Sequence, residues 1–239
     1  MSHRPVTIVT GASRGLGLAL AEGLAARGHA LVVDARGEPA LEAARSRLAA
    51  LTDVVALPGD VTDEAHRRAL VAAARGLGGL DVVVNNAGAL GPVPRPALAE
   101  HPPEALEALV SANAVAPLRL IQLALPLLEA SPLPGRIVNV TSDAAVEGYP
   151  GWGGYGASKA ALEALTRVLA VEHPELRVHA VDPGDMSTRM LADAYPGEDV
   201  SGYPPAAASV PGLLRLIDED LPSGRHTAAA LADAAGARR

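Results

Sequence analysis

Six short apolar runs, most of them rich in β-branched residues, alternate with five helical stretches between residues 6 and 181. The runs fall at 6–10, 30–34, 54–57, 80–84, 136–141 and 176–181. Short, continuously apolar runs suit strands buried on both faces. Between them lie an Ala/Leu-rich helix ending near Gly28, an amphipathic helix over 38–50, and a helix over 62–75 with Thr62 as N-cap and acidic residues in its first turn. A long helix over 103–128, bent near Pro117 and Pro126, and another over 152–172 complete the series. Strict alternation of this kind specifies an α/β fold, a doubly wound, mostly parallel sheet with helices on both faces. No linker, composition shift or internal repeat divides the chain, so a single domain is expected over 1–239. The Pro/Gly-rich segment 185–205 reads as a substrate lid, and about 230–239 as a flexible Ala-rich tail.

Composition narrows the function classes. The net charge of −7, with no Lys/Arg cluster, argues against nucleic acid or an anionic membrane as partner. The absence of cysteine removes disulfides, thiolate catalysis and Cys-ligated metals, and fits a cytoplasmic protein. The seven histidines show no metal-ligand spacing, so no metal is expected. The longest apolar run, 118–128, contains Arg119, Gln122 and Pro126, which reads as a buried helix and not a membrane span. With no Phe and one Trp, the core must be built from Val, Leu, Ile and Ala.

Ligands of doubly wound sheets bind beyond the carboxyl ends of the strands. That edge collects the unusual residues of this chain. After the first strand comes Thr10-Gly-Ala-Ser-Arg-Gly-Leu-Gly17, a glycine turn opening a helix, whose free N–H groups and dipole suit a phosphate. Its spacing is G-x-x-x-G-x-G, not the commoner G-x-G-x-x-G. Asp34 to Arg36 follow the second strand, Asp60 and Val61 the third, Asn86-Ala87-Gly88 the fourth, Ser142 the fifth, and Pro183-Gly184 the sixth. Tyr155 and Lys159, four apart at the start of a helix, project a phenol and an ammonium to one side. A nearby ammonium is expected to lower the phenol pKa toward the working range of an acid–base catalyst.

Together these motifs resemble the classical short-chain dehydrogenases/reductases, over about residues 5–190. The resemblance implies a Rossmann-type sheet and an NAD(P)-dependent oxidoreductase acting on a small carbonyl or alcohol. It implies a cofactor site made of Gly11, Ser13, Arg14, Gly15, Leu16, Gly17, Asp34, Arg36, Asp60, Val61, Asn86, Ala87 and Gly88, with Pro183, Gly184 and Thr188 flanking the nicotinamide. Asn113, Ser142, Tyr155 and Lys159 match its catalytic tetrad. By that likeness Tyr155 is the general acid or base, and Lys159 lowers its pKa and holds the nicotinamide ribose. Ser142 bonds the substrate oxygen and Asn113 holds a relay water. Taken singly, Ser142 also reads as a helix N-cap or turn residue, and Asn113 as a buried residue satisfying backbone groups.

The family's long helices pair across a two-fold axis, which implies a homodimer or homotetramer. After Thr188 the likeness weakens, and a seventh strand falls on residues 224–230 by position alone. Cofactor choice rests on the end of the second strand. An acidic residue there favours NAD, whereas Arg36 and Arg14 match the basic residues of NADP-dependent members. NADP(H) is therefore expected to be preferred, with NAD(H) the alternative. Non-redox chemistry on the same fold and a non-catalytic nucleotide-binding regulator are the rival functions. The substrate pocket is expected at 89–95, 143–152 and 185–203.

Overall fold

The computed structural model describes residues 3–236. Seven parallel strands form one sheet in the order β3-β2-β1-β4-β5-β6-β7. They are β1 Val6–Val9, β2 Ala30–Ala35, β3 Val54–Pro58, β4 Val82–Asn85, β5 Arg136–Val140, β6 Arg177–Asp182 and β7 Gly224–Thr227. The six expected strands are all present, shifted by a residue or two at their ends. The positional expectation of a seventh is met by β7, which pairs in register with His179–Asp182 of β6. Apolar strands β1, β4 and β5, buried along their whole length, and β2, buried up to Asp34, form the middle of the sheet.

Helices cover both faces. One core layer places Leu20 and Leu24 of α1 (Gly15–Ala25), Leu41 and Leu48 of α2 (Glu38–Leu48), and Leu213 and Leu216 of α8 (Val210–Asp218) against Val33, Val84 and Val138. The opposite layer packs Leu70 of α3 (Glu64–Gly76), Leu120 and Ile121 of α5 (Ala116–Glu129) and Leu169 of α6 (Gly153–Glu172) on Ile8, Val32, Val83 and Ile137. A core of short aliphatic chains is what the missing Phe required. Strand order reverses between β1 and β4, and a ligand crevice at the carboxyl edge follows from that reversal.

Two sequence expectations need correcting. The N-cap of α3 is Asp63, whose carboxylate accepts the Ala65 N–H at 2.9 Å. Thr62 instead turns back on Asp60, giving its N–H and its hydroxyl to the same carboxylate oxygen, each at 2.8 Å. The long helix is also two segments, α4 (Pro103–Val110) and α5, joined by one π turn at Ser111–Val115. Pro117 has no N–H to offer the Asn113 carbonyl four residues earlier, so the regular pattern cannot pass this point and the chain widens by one residue. By length and composition the combined helix Pro103–Glu129 is apolar enough to cross a membrane. Here its inner face is built into the sheet layer and it carries Asn113.

The C-terminal stretch read as a tail forms α9 (Ala228–Gly236), with Ala228 and Leu231 in the core; residues 237–239 lie outside the described residues. The fold also gathers Glu129, His173 and Glu175 on the surface, their ligand atoms within 4.8 Å of one another, a grouping invisible in the spacing of the histidines.

Candidate active site

At the carboxyl edge of the sheet lies a cleft of about 1560 Å³. The glycine turn forms one end. Gly11 and Gly15 take φ of +69° and +56°, conformations that side-chain-bearing residues rarely adopt. A Cβ on Gly17 would lie 2.5 Å from both the Gly11 carbonyl oxygen and Asn86 Nδ2. Asn86 ties the turn down, donating to the carbonyls of Thr10 at 2.8 Å and Gly11 at 3.2 Å. The Thr10 hydroxyl in turn accepts the N–H groups of Asn86 and Ala87, both at 3.0 Å. Behind them a buried chain of amides, Asn85 to Asn139 at 2.8 Å and Asn139 to the Thr166 hydroxyl at 2.9 Å, locks β4, β5 and α6 together.

Asp34 faces this turn from β2, but it is turned inward. One carboxylate oxygen accepts the Gly11 N–H at 2.7 Å and the other lies 3.0 Å from His66 Nε2. Gly59 lies directly against the His66 ring, which leaves no room for a side chain there. His66 was invisible to sequence reasoning, since a lone histidine in a helix carries no signal. Arg14 and Arg36 are exposed at the same end of the cleft, with no hydrogen-bond or ion-pair partner among the described residues. Arg36 acts on Asp60 through its charge, one of the causes that hold the Asp60 carboxyl below its usual range, after its backbone and side-chain bonds to Thr62. Ser13, Leu16, Val61, Gly88, Pro183, Gly184 and Thr188 line the cleft as well. Thr188 caps α7 (Arg189–Ala194) through the Leu191 N–H at 3.4 Å and lies beside Gly15, so the segment after β6 folds back over the glycine turn.

At the other end, β5 and α6 bring Ser142, Tyr155 and Lys159 to the same cleft. Gly156 sits so close to the Ala144 carbonyl that no side chain would fit, and this lets α6 start against the loop after β5. The Ser142 hydroxyl stands near the Tyr155 phenol, donates to Asp143 Oδ1 at 2.9 Å and accepts the Ala144 N–H at 3.2 Å. Ser142 thus caps the turn at Asp143–Ala145, as the turn-residue reading has it.

Lys159 Nζ is buried and donates to the Val140 carbonyl at 2.8 Å. Burial lowers its pKa to about 8. The expected downward pull on Tyr155 is not what this arrangement gives. Burial, with the charges of Asp182 and Asp143, raises the phenol pKa, and the nearby Ser142 hydroxyl opposes this only in part. The ammonium lies 5.7 Å from the phenol ring centre and gives one N–H to the Val140 carbonyl, and at that distance its pull does not overcome desolvation.

Asn113 lies behind the cleft wall and is fully buried. Its amide is used on all sides, accepting the Ala89 N–H at 2.8 Å and donating to the Ala89 carbonyl and the Ser158 hydroxyl, both at 2.9 Å. Gly88 separates it from Lys159; a Cβ there would be 3.2 Å from Asn113 Oδ1 and 3.6 Å from Lys159 Nζ. The side chain therefore fixes the loop that walls the cleft. Arg225 of β7 closes the far side, bonding buried Glu163 at 3.0 Å and the Ser142 carbonyl at 3.4 Å. Glu163 also accepts the Thr141 hydroxyl at 2.8 Å.

Comparison with known proteins now bears on this geometry. The family model described as short chain dehydrogenase matches residues 5–199. The chain belongs to that family. It is 37% identical over 209 residues to an (S)-benzoin-forming benzil reductase of Saccharomyces cerevisiae, covering 84% of this chain and 79% of that one. It is 34% identical over 214 residues to the rhamnolipid-biosynthesis 3-oxoacyl-[acyl-carrier-protein] reductase of Pseudomonas aeruginosa, covering 86% and 81%. Among solved structures it resembles an alcohol dehydrogenase of Thermococcus sibiricus complexed with 5-hydroxy-NADP, with a TM-score of 0.84, 28% identity and 94% and 96% of the two chains covered.

This short-chain dehydrogenase is an oxidoreductase that uses a nicotinamide cofactor. Its residues fit such a group. The glycine cradle is one a Cβ would fill, and two exposed cations stand unpaired beside it.

Proposed function

We propose that this enzyme reduces a carbonyl to a secondary alcohol, or runs the reverse reaction, with Tyr155 as the proton-transferring group. The observation that carries this reading is that the Ser142–Tyr155 hydroxyl pair opens into the same cleft as the glycine turn. When bound, the nicotinamide supplies or accepts the hydride. The protein's part is position and proton handling. Ser142 and Tyr155 would hold the substrate oxygen, and the raised phenol pKa keeps the proton in place until negative charge develops on that oxygen. Lys159 would bind the cofactor's ribose. The role of Asn113 would be to fix Ala89 and Ser158 around them.

Cofactor preference is read as NADP(H), with NAD(H) as the weaker substrate. Asp34 is engaged by Gly11 and His66, which leaves Arg36 and Arg14 as the groups available at the ribose end. NADP or NADPH complexes among the solved structures it resembles support this choice. The cofactor contacts are read as those lining the cleft from Gly11 to Thr188, and segment 185–205 as a lid on a single domain. Ser187 supports the lid reading: its N–H and its hydroxyl both reach the Pro204 carbonyl, at 2.9 and 3.3 Å, and so join the two ends of that segment. A small-molecule substrate and a cytoplasmic setting complete the reading.

Assembly as a homodimer or homotetramer would cover Val115, Val168 and Val171, which are 47%, 52% and 80% exposed on the α5 and α6 side. Light scattering at micromolar concentration tests it, and a monomer would rule it out. The central test is NADPH consumption against a panel of ketones and aldehydes. Oxidation of NADPH with equimolar alcohol formation is expected. Conversion without a net change in NADPH would mean non-redox chemistry.

A further inference from the structure

Arg95 enters the substrate end of the cleft from the loop between β4 and α4. Its guanidinium carbon lies 4.0 Å from the centre of the Trp152 ring and 4.6 Å from that of Tyr195, a cation clasped by two aromatic rings. Trp152 meets Tyr155 edge-on, with ring centres 5.5 Å apart. The backbone placement is built in: Gly151, at φ +77°, lies where a Cβ would touch the Arg95 Cβ at 3.4 Å. A guanidinium has five N–H donors. Arg95 has no ion pair among the described residues, and its Nη1 is buried without an acceptor.

Of the other cations lining the cleft, Lys159 is hydrogen-bonded to the Val140 carbonyl, and the arginines are either paired or at the far end. Arg189 faces Asp193 at 3.6 Å, while Arg14 and Arg36 stand at the glycine turn. Three of the cleft's acidic groups, Asp143, Asp182 and Asp185, stand on the Ser142 side, while Asp34 and Asp60 lie at the glycine-turn end and Asp193 faces Arg189. Asp143 is bonded by Ser142 and Tyr149, Asp182 is paired with Arg225, and burial together with these two charges raises the Asp185 carboxyl pKa.

From this we infer that the substrate is an oxo acid. Its carbonyl would lie at Tyr155 and Ser142, and a carboxylate a few carbons away would be held by the Arg95 fork between Trp152 and Tyr195. A planar fork fits a carboxylate bidentately, and its rigid clasp means little freedom is lost on binding. The acidic groups beside Ser142 would repel the same carboxylate and so fix the direction in which the substrate enters. This assignment rests on the carbonyl-reductase reading above.

The test compares kcat/KM for 5-oxohexanoate and its methyl ester with NADPH, in wild type, Arg95→Gln and Arg95→Lys. Wild type should prefer the acid. Arg95→Gln should lower the acid-to-ester ratio by about 30-fold, and Arg95→Lys should restore it only in part. A purely structural Arg95 would lower both substrates together, so an unchanged ratio overturns the inference. Calorimetric titration of the NADP-bound enzyme with hexanoate reads the same site without turnover. Binding lost in Arg95→Gln supports the acid site even if neither oxo compound is reduced, in which case only the reductase reading falls. A wild type that reduces the ester as well as the acid and binds no hexanoate defeats the acid site and leaves the reductase reading standing.

Discussion

Lys159 Nζ lies 5.7 Å from the centre of the Tyr155 ring, and its hydrogen bond goes to the Val140 carbonyl instead. The two groups are neighbours on one helix face, as four-residue spacing requires, yet in the ligand-free protein they do not act on one another as an acid–base pair. Burial dominates both, raising the phenol and lowering the amine.

The lysine's burial makes a stability prediction. Its folded pKa of about 8 is below the value of 10.5 in the unfolded chain, so between these two pH values the unfolded state binds more protons and stability rises with pH. Below pH 8 the full desolvation cost is present, and above 10.5 it is gone. Lys159→Met should therefore stabilise the ligand-free protein at pH 7, by about 1–3 kcal/mol, while abolishing turnover. The gain should vanish near pH 10.5. Urea unfolding at the two pH values measures it, and a variant less stable than wild type at pH 7 would refute it.

Tyr155→Phe keeps the ring against Trp152 and removes the hydroxyl that stands near Ser142. Turnover should fall by several orders of magnitude with cofactor affinity largely kept. Single-turnover kinetics and NADPH titration by fluorescence separate the two effects. Wild-type turnover in the variant would remove Tyr155 from the mechanism.

Cofactor preference should follow Arg36. With Asp34 turned inward to Gly11 and His66, Arg36→Ala should lower the NADPH-to-NADH ratio of kcat/KM by about 10- to 100-fold. If wild type prefers NADH and the ratio ignores Arg36, then the acidic residue governs the site after all.

Gly17→Ala would place a methyl group 2.5 Å from the Gly11 carbonyl and the Asn86 amide, and the backbone oxygen has nowhere to go. Stability should drop by about 1–3 kcal/mol and cofactor affinity by at least about tenfold. Thermal unfolding and NADPH titration check both. A variant matching wild type in both would mean the turn is not held as described.

The order of strands and helices, and the edge at which the chemistry collects, could be read from the sequence because both follow from period and alternation. Tyr155, Lys159 and Ser142 needed only their places after β5 to be brought together. What a side chain does within that place was less accessible. Nothing local to Asn113 says that its amide will be consumed by Ala89 and Ser158, residues 24 and 45 positions away. Nor does the triplet Asp34-Ala35-Arg36 say which member faces inward, since that depends on His66 reaching back from α3. Thr62 reads as the cap from its residue type, and only the fold shows Asp60 taking Thr62 and leaving the cap to Asp63. β7 has too few apolar residues to announce itself; its place comes from pairing with β6.

That last strand has a consequence for how the enzyme comes into being. Arg225, at the outer edge of the sheet, holds Glu163 and the Ser142 carbonyl, and Glu163 holds Thr141. Synthesis runs from the N-terminus, so the glycine turn and the Tyr155 helix can leave the ribosome long before the residue that braces Ser142 from behind. A nascent chain could take hold of cofactor while its proton-handling end was still unsupported, and competence for chemistry would arrive only with the final strand.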